Sequence, residues 1–532
     1  RNAAAWSYRS LGDTERRALD RLTAFSGSTD LTTLIAAGEP VLSRPMTLDA
    51  ITSLVDKSLV TRSEADGITR YSLHPLVREF VRSQLSPGEL DAAAEGHARA
   101  LARTAATLGR GPSPHLDAQW ISHHELDCDN LRAAVEHLAR HDVQAALRVL
   151  VDVEPGLALT SSVNWWDERL EQLAADADDG DVDLSARILA QLLMNFSETR
   201  DPRGDQVHES LRVLTSAPLG SVARCAAVAA ITRWNRKEIG AQPDAAAIDA
   251  AVTAADRAGG TYWPFMVRYM MSMDLPRAPA LRLCRDAIGA ARRHGLRRFE
   301  RLARVNIAVS EQFSNVGDQA LFEWRDLFVD GAFISDLTVT DACFYLLAES
   351  EHGSIEDALP IAEQAALELR PRASGAVANE LHTVVARVRM IAGDDLGASE
   401  AIRLAAAASR PRWDFLGGLH RLTHAALLRR HGRPLEALSE LGRLVEDVGY
   451  RGVTDLGART LEELAAIAAA TSRHDLAADL VATAAAHRIA HGQPASPIGQ
   501  AEIMSLVAAL GSRRGHPLPL DAIADVASEL AG

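Results

Sequence analysis

Four groups of residues in this 532-residue chain have types and spacings that could do chemistry. The first is His74, in the run Leu73-His74-Pro75-Leu76-Val77-Arg78-Glu79-Phe80. An imidazole N–H at a strand-to-helix junction can donate to a phosphate oxygen, more strongly when protonated. The same residue can instead cap the helix or pack at the junction. The second is His123, His124, Glu125, Asp127, Cys128 and Asp129, whose spacing matches no zinc or di-iron pattern, so no metal is expected. The third runs from Tyr262 to Met273 and holds four of the eight methionines and four aromatics. Thioethers and aromatic faces suit an adaptable groove, making Tyr262, Trp263, Met266, Tyr269 and Met270 candidates for contacting a ligand or partner. The other reading is a buried helix pair. The fourth is a basic run in which Arg293, Arg297, Arg301 and Arg304 would share one helical stripe and could grip a phosphate or an acidic partner. Otherwise it is a solvated face. Gly-x-Ser-x-Gly, His-Glu-x-x-His and Cys-His arrangements do not occur, and no catalytic residue is expected. Gly-x-x-x-x-Gly-Lys-Ser/Thr is also missing, so this chain should neither hydrolyse ATP nor act as an enzyme.

The elements that hold His74 can be read locally. Leu48 to Val55 has apolar residues at helical spacing. Two β-leaning runs follow, Ser58 to Arg62 and Ile68 to Leu73, separated by Glu64-Ala65-Asp66-Gly67. Asp-Gly between such runs is a strong hairpin signal, because the turn needs positive φ. Pro75 then opens a helix at a position where its missing N–H costs nothing. Helix, hairpin, helix is the outline of a winged helix. Upstream, Asn2 to Tyr8 and Asp13 to Leu22 read as helices, with Asp13 or Thr14 as a natural N-cap.

This stretch resembles the winged-helix domain of STAND signal-transduction ATPases: the NB-ARC, AfsR-like and MalT/LuxR-like regulators of actinobacteria. In that family a Met-His-Asp or Leu-His-Pro triplet follows the wing and leads into a helix similar to Leu76 to Phe80. The resemblance implies that His74 contacts the β-phosphate of ADP in a neighbouring ATPase domain and so helps to hold an off state. It also implies that the chain begins where that ATPase domain ends, so ATP or ADP would be bound only by the intact protein. A small-molecule or protein inducer would act on the repeats, ATP-bound protomers would assemble, and a DNA-reading effector would lie outside this chain. A stand-alone interaction scaffold, or a STAND ATPase with an effector that does not read DNA, are the alternatives.

Length and composition bound the remainder. More than one core is expected from 532 residues. The net charge is −15, and residues 1–85 carry 11 basic against 10 acidic residues, which leaves −16 beyond them. That balance argues against direct nucleic-acid binding or coating of an anionic membrane. Cys128, Cys225, Cys284 and Cys343 show no CxxC pairing, which fits a reducing, cytoplasmic setting. No apolar run approaches the length of a membrane span. In the second half Gly353 precedes Ala358, Gly393 precedes Ala398, Gly432 precedes Ala437 and Ser472 precedes Ala477, at steps of 40, 39 and 40 residues. Such a period predicts helix-turn-helix units longer than the ~34 residues of a tetratricopeptide repeat, wound into a superhelix with a concave face. The expected fold is mainly α: a winged-helix domain over 1–86, a helical linker bundle over 87–180 and a TPR-like repeat domain over 181–532.

Overall fold

The computed structural model describes residues 8–531 apart from 40, 66, 158–162, 178–179, 200, 236–244, 259, 274, 276, 314–316, 329–338, 369–374, 409–414, 447–453 and 492. Most of the helix expected at Asn2 to Tyr8, and Asp66 of the turn, lie outside the described residues.

Helix α1 (Asp13–Leu22) is capped by Gly12, whose N–H donates to the Glu15 carboxylate at 2.8 Å. The cap is therefore one residue earlier than expected. Glu15 reaches back to position 12, and Asp13 sits in the first turn, where its charge faces the helix dipole. Helix α2 (Leu31–Gly38) is capped by Asp30, which accepts from the Thr33 N–H. Helix α3 (Arg44–Asp56) carries Pro45 in its first turn.

Strands β1 (Val60–Ala65) and β2 (Ile68–Leu73) pair antiparallel, from Val60↔Leu73 to Ala65↔Ile68. The hairpin is tighter than the sequence suggested, because Ser63, Glu64 and Ala65 join the ladder. Gly67 supplies the positive φ (+74°) that lets a two-residue turn follow the strand twist. Thr29 adds a minimal third strand, exchanging both backbone hydrogen bonds with Tyr71. Helix α4 (Pro75–Gln84) follows, and this is a winged helix.

Ser86 and Glu89 form a capping box for α5 (Pro87–Leu108), which packs on α1 and α2 and then against α6 (Asp117–His141). One apolar core runs without interruption from Leu11 of the winged helix to Trp234. Next come α7 (Val143–Leu157), α8 (Val163–Ala174), α9 (Val182–Thr199), α10 (Gly204–Leu214), α11 (Ser221–Trp234), α12 (Ala245–Ala258), α13 (Tyr262–Met273), α14 (Arg277–Arg293), α15 (Arg297–Phe313) and α16 (Gly317–Phe328).

The C-terminal array pairs α17 (Val339–His352) with α18 (Ile355–Glu368), α19 (Gly375–Ile391) with α20 (Asp395–Ala408), α21 (Phe415–Arg430) with α22 (Pro434–Glu446), and α23 (Thr454–Ala470) with α24 (His474–His491). The first helices of these pairs, α17, α19, α21 and α23, also pack on one another in succession and form the inner wall. Helix α25 (Pro497–Leu510) returns to contact α17, α23 and α24, and α26 (Ile523–Ala531) packs on α22.

Three of the four repeat stops share one geometry, and Gly353 is the exception, without a positive φ. Gly393, Gly432 and Ser472 take φ of +83°, +75° and +63°. At each, the next residue donates back to a carbonyl five positions earlier: Asp394 to Arg389, Arg433 to Leu428, Arg473 to Ala468. This is the αL helix stop, and Gly is favoured because it has no Cβ to strain. Ala358, Ala398, Ala437 and Ala477 are all fully buried, so the small side chain is what lets the second helix approach the first.

Candidate functional site

His74 stands at the rim of the winged helix. It is exposed, and its Nδ1 accepts from the Leu76 N–H at 3.2 Å, which makes it the N-cap of α4. A neutral ring whose Nδ1 accepts must carry its proton on Nε2, so the outer edge of the ring is a donor. Arg78 fixes the helix behind it, donating to Ser26 O at 2.8 Å and Gly27 O at 3.3 Å.

The winged helix is tied to α6 by a buried ion pair. Arg70 Nη2 donates to Asp127 Oδ1 at 2.6 Å, with side chains 1% and 0% exposed. The guanidinium also donates to Ser28 O, Ser28 Oγ and Leu126 O. Burial alone would raise the Asp127 carboxyl, but His123 and Arg70 hold it below its ordinary range. Asn130 adds a second tie, accepting from the Ser26 N–H and donating to Ser28 O, both near 2.9 Å. Of the His123–Asp129 group, His123 and Asp127 come together with Asp30, their ligand atoms within 4.8 Å of one another. The Arg70 guanidinium already supplies the countercharge there.

The aromatic-methionine stretch forms α13. Tyr262, Phe265 and Met266 are buried with Trp120 and Phe299, and Phe265 stacks on Phe299 at 4.8 Å and on Tyr269 at 5.6 Å. Trp263 and Met270 are half-buried and line a small cavity beside Arg187, Gln191 and Met194. The basic run does not form one helical stripe. Arg293 ends α14, Gly295 turns with φ +64°, and α15 starts at Arg297. Positive φ at Gly295 breaks the helix that the stripe required. Arg304 pairs with Asp326 and Glu323, and Arg301 donates to Leu327 O.

Sequence reasoning missed a cleft of about 470 Å³ between the inner wall of the C-terminal array and α25. Five arginines and three glutamates line it, together with an apolar wall from Leu419, Leu422, Ala426, Ala466, Ile503 and Leu506. Three of the arginines are bidentate on carboxylates: Arg459 on Glu351 (2.6 and 2.6 Å), Arg488 on Glu462 (2.6 and 2.9 Å) and Arg429 on Glu463 (2.7 and 3.2 Å). Burial would raise Glu351, yet Arg459 and Arg387 bring it down to about 2. At Glu463 burial wins over Arg429 and the carboxyl is pushed up. Arg387 differs from its neighbours. It is 9% exposed, and its ion pairs to Glu351 and Glu502 are long, at 3.6 and 3.8 Å. Its Nε has no hydrogen-bond partner among the described residues. The signal that could have found this site is an arginine on the first helix of each of three successive repeats, Arg387, Arg429 and Arg459.

Among solved structures, a Signal Transduction ATPase with Numerous Domains (STAND) protein with a tetratricopeptide repeat sensor from Pyrococcus horikoshii aligns with 75% of this chain and 63% of its own, at 14% identity and a TM-score of 0.36. The APC/C hetero-tetramer Cut9–Hcn1 aligns over 94% of this chain and 98% of that chain, at 11% identity and a TM-score of 0.31. Proteins of Mycobacterium tuberculosis and Mycobacterium bovis whose names describe HTH-type transcriptional regulators are 33% identical over 174 residues, which is 31% of this chain and 19% of each relative. The match thus spans about a fifth of the length of these curated relatives. Residues 11–86 match the family model of the winged helix-turn-helix domain, and the helices and wing described above give that segment the same identity.

Proposed function

We propose that this chain is the restraining and sensing part of an ATP-dependent transcription regulator of the STAND type. The observation that carries the reading is a winged helix-turn-helix domain that shares one core with the helices up to Trp234 and is followed by an array of helical hairpins. The surface of the domain suits packing on protein. Helix α3 carries Arg44 against Asp49 and Asp56, and Met46 and Leu48 on it are exposed, as are Val41 just before it and Leu76 on α4. A face with so little positive charge is poorly made for a phosphate backbone.

In this reading an ATPase domain on the same polypeptide binds ATP or ADP. His74 donates through Nε2 to the β-phosphate of ADP, which the cap on Nδ1 supports by fixing the ring and its tautomer. The repeats receive a small-molecule or protein inducer, ATP-bound protomers assemble, and the DNA-reading effector lies elsewhere in the regulator. This part acts in the cytoplasm and is itself neither an enzyme nor a nucleic-acid binder. Among the described residues no helix is long and apolar enough to cross a membrane.

The test is ADP release from the intact protein. His74→Ala should speed release and raise basal output, and unchanged release refutes the assigned role. A second reading, a repeat scaffold without a switch, is favoured by one observation: His74 already has a structural use as a cap. An intact reading frame with no P-loop would establish it.

A further inference from the structure

We propose that the cleft between α25 and the inner wall binds a small organic anion, a carboxylate or phosphate ester with a short apolar body. Its acidic group takes the donors of Arg387 and Arg430 in competition with Glu502. The proposal deepens the reading of the repeats as the sensing part and names the class of ligand sensed.

The carboxylates of Glu351, Glu462 and Glu463 are each occupied by a bidentate arginine. Arg387 is left with ion pairs of 3.6 and 3.8 Å, beyond hydrogen-bond range, and a buried Nε without a partner. Arg430 spends Nη1 on Asp395 Oδ1 and Met390 O, while its Nη2 is 3.8 Å from Glu502 Oε1. Arg387 Nη2 faces the cleft with both carboxylates outside hydrogen-bond range, so an anion that reaches it makes charge-assisted bonds that neither glutamate makes.

Glu502 shows where the anion belongs. It is half exposed on α25, and its two oxygens face Arg387 and Arg430 at 3.8 Å each. One carboxylate can therefore span both cations, but this one does not come close enough to hydrogen-bond either. A ligand carboxylate that approaches by a further ångström makes the bonds that Glu502 does not. The rest of the cleft is apolar along Leu419, Leu422, Ile503 and Leu506. Its volume of about 470 Å³ lies in the range of small-molecule sites.

Titration calorimetry on the full chain with octanoate, octyl phosphate and 1-octanol tests this. At least one of the two anions should bind at one site, and 1-octanol should bind at least tenfold more weakly. The better anion tells carboxylate from phosphate recognition. Arg387→Gln should weaken that anion at least tenfold, with Arg387→Lys recovering part of the loss. Glu502→Gln, at a half-exposed position that leaves the fold intact, should tighten binding several-fold by removing the competitor. The proposal is overturned if neither anion binds, if 1-octanol binds as well as they do, or if Glu502→Gln leaves affinity unchanged. Such a failure removes the anion site only, since the switch reading stands or falls on ADP release.

Discussion

Removing the Asp127 carboxylate isolates one of the few charges that hold the winged helix to the helices behind it. In Asp127→Ala the Arg70 guanidinium stays buried, 1% exposed, without its countercharge. Deleting one partner of a buried pair typically costs about 3–5 kcal/mol. Arg70 keeps its bonds to Ser28 O, Ser28 Oγ and Leu126 O, so the low end of that range, about 3 kcal/mol, is expected. With a urea slope of about 2–3 kcal/mol per molar, the unfolding midpoint should fall by about 1 M. Tryptophan fluorescence can follow it, because Trp120 lies on α6 with Asp127 and Trp166 sits in the continuous core. The double variant Arg70→Met with Asp127→Leu removes both charges and should recover most of the loss. A midpoint shift below about 0.3 M for the single variant, or a double variant no better than the single, refutes the assignment of this pair as the tie.

Two further outcomes are expected. Burial holds His97, His124 and His420 neutral, with pKa values down to about 4. Their folded values lie below the unfolded one, so the stability they preserve is whole above about pH 6.5 and is lost as pH falls toward 4, by up to about 3 kcal/mol each. Urea midpoints measured across that window should drop steeply, and a flat profile contradicts the burial argument. At the repeat stops, Ser472→Gly should raise the melting temperature, with a gain of a few tenths to about 1 kcal/mol, because Ser472 is held at φ +63°. Gly393→Ala should lower it by about 1 kcal/mol, although a Cβ there meets nothing within 4 Å, and a neutral result would mean the left-handed stop carries no strain.

What could be read from the sequence was what the backbone decides locally. Asp66-Gly67 announced the hairpin, Pro75 announced the start of α4, and the Gly-to-Ala phrase announced the turns, since each depends on φ or side-chain size within a few residues. The stripe through Arg293 and Arg304 failed for a local reason as well: periodicity was followed across His294-Gly295, a helix stop. The cleft was not legible. Arg459 meets Glu351 across 108 residues, and only the stacking of successive hairpins brings them face to face. Arg70 and Asp127, 57 residues apart, are in the same position: each looks like an ordinary surface charge until the fold buries it.

Helix α25 changes how the C-terminal array should come apart. A stack of hairpins in which each unit touches only its neighbours unzips from its ends, one unit after another. Here the return of α25 to α17, with the Glu351–Arg459 clasp beside it, joins the first hairpin of the stack to the last. A crossbar of this kind turns a spring into a closed frame, so residues 339–531 should melt in one cooperative step, with no frayed end for a protease to find first.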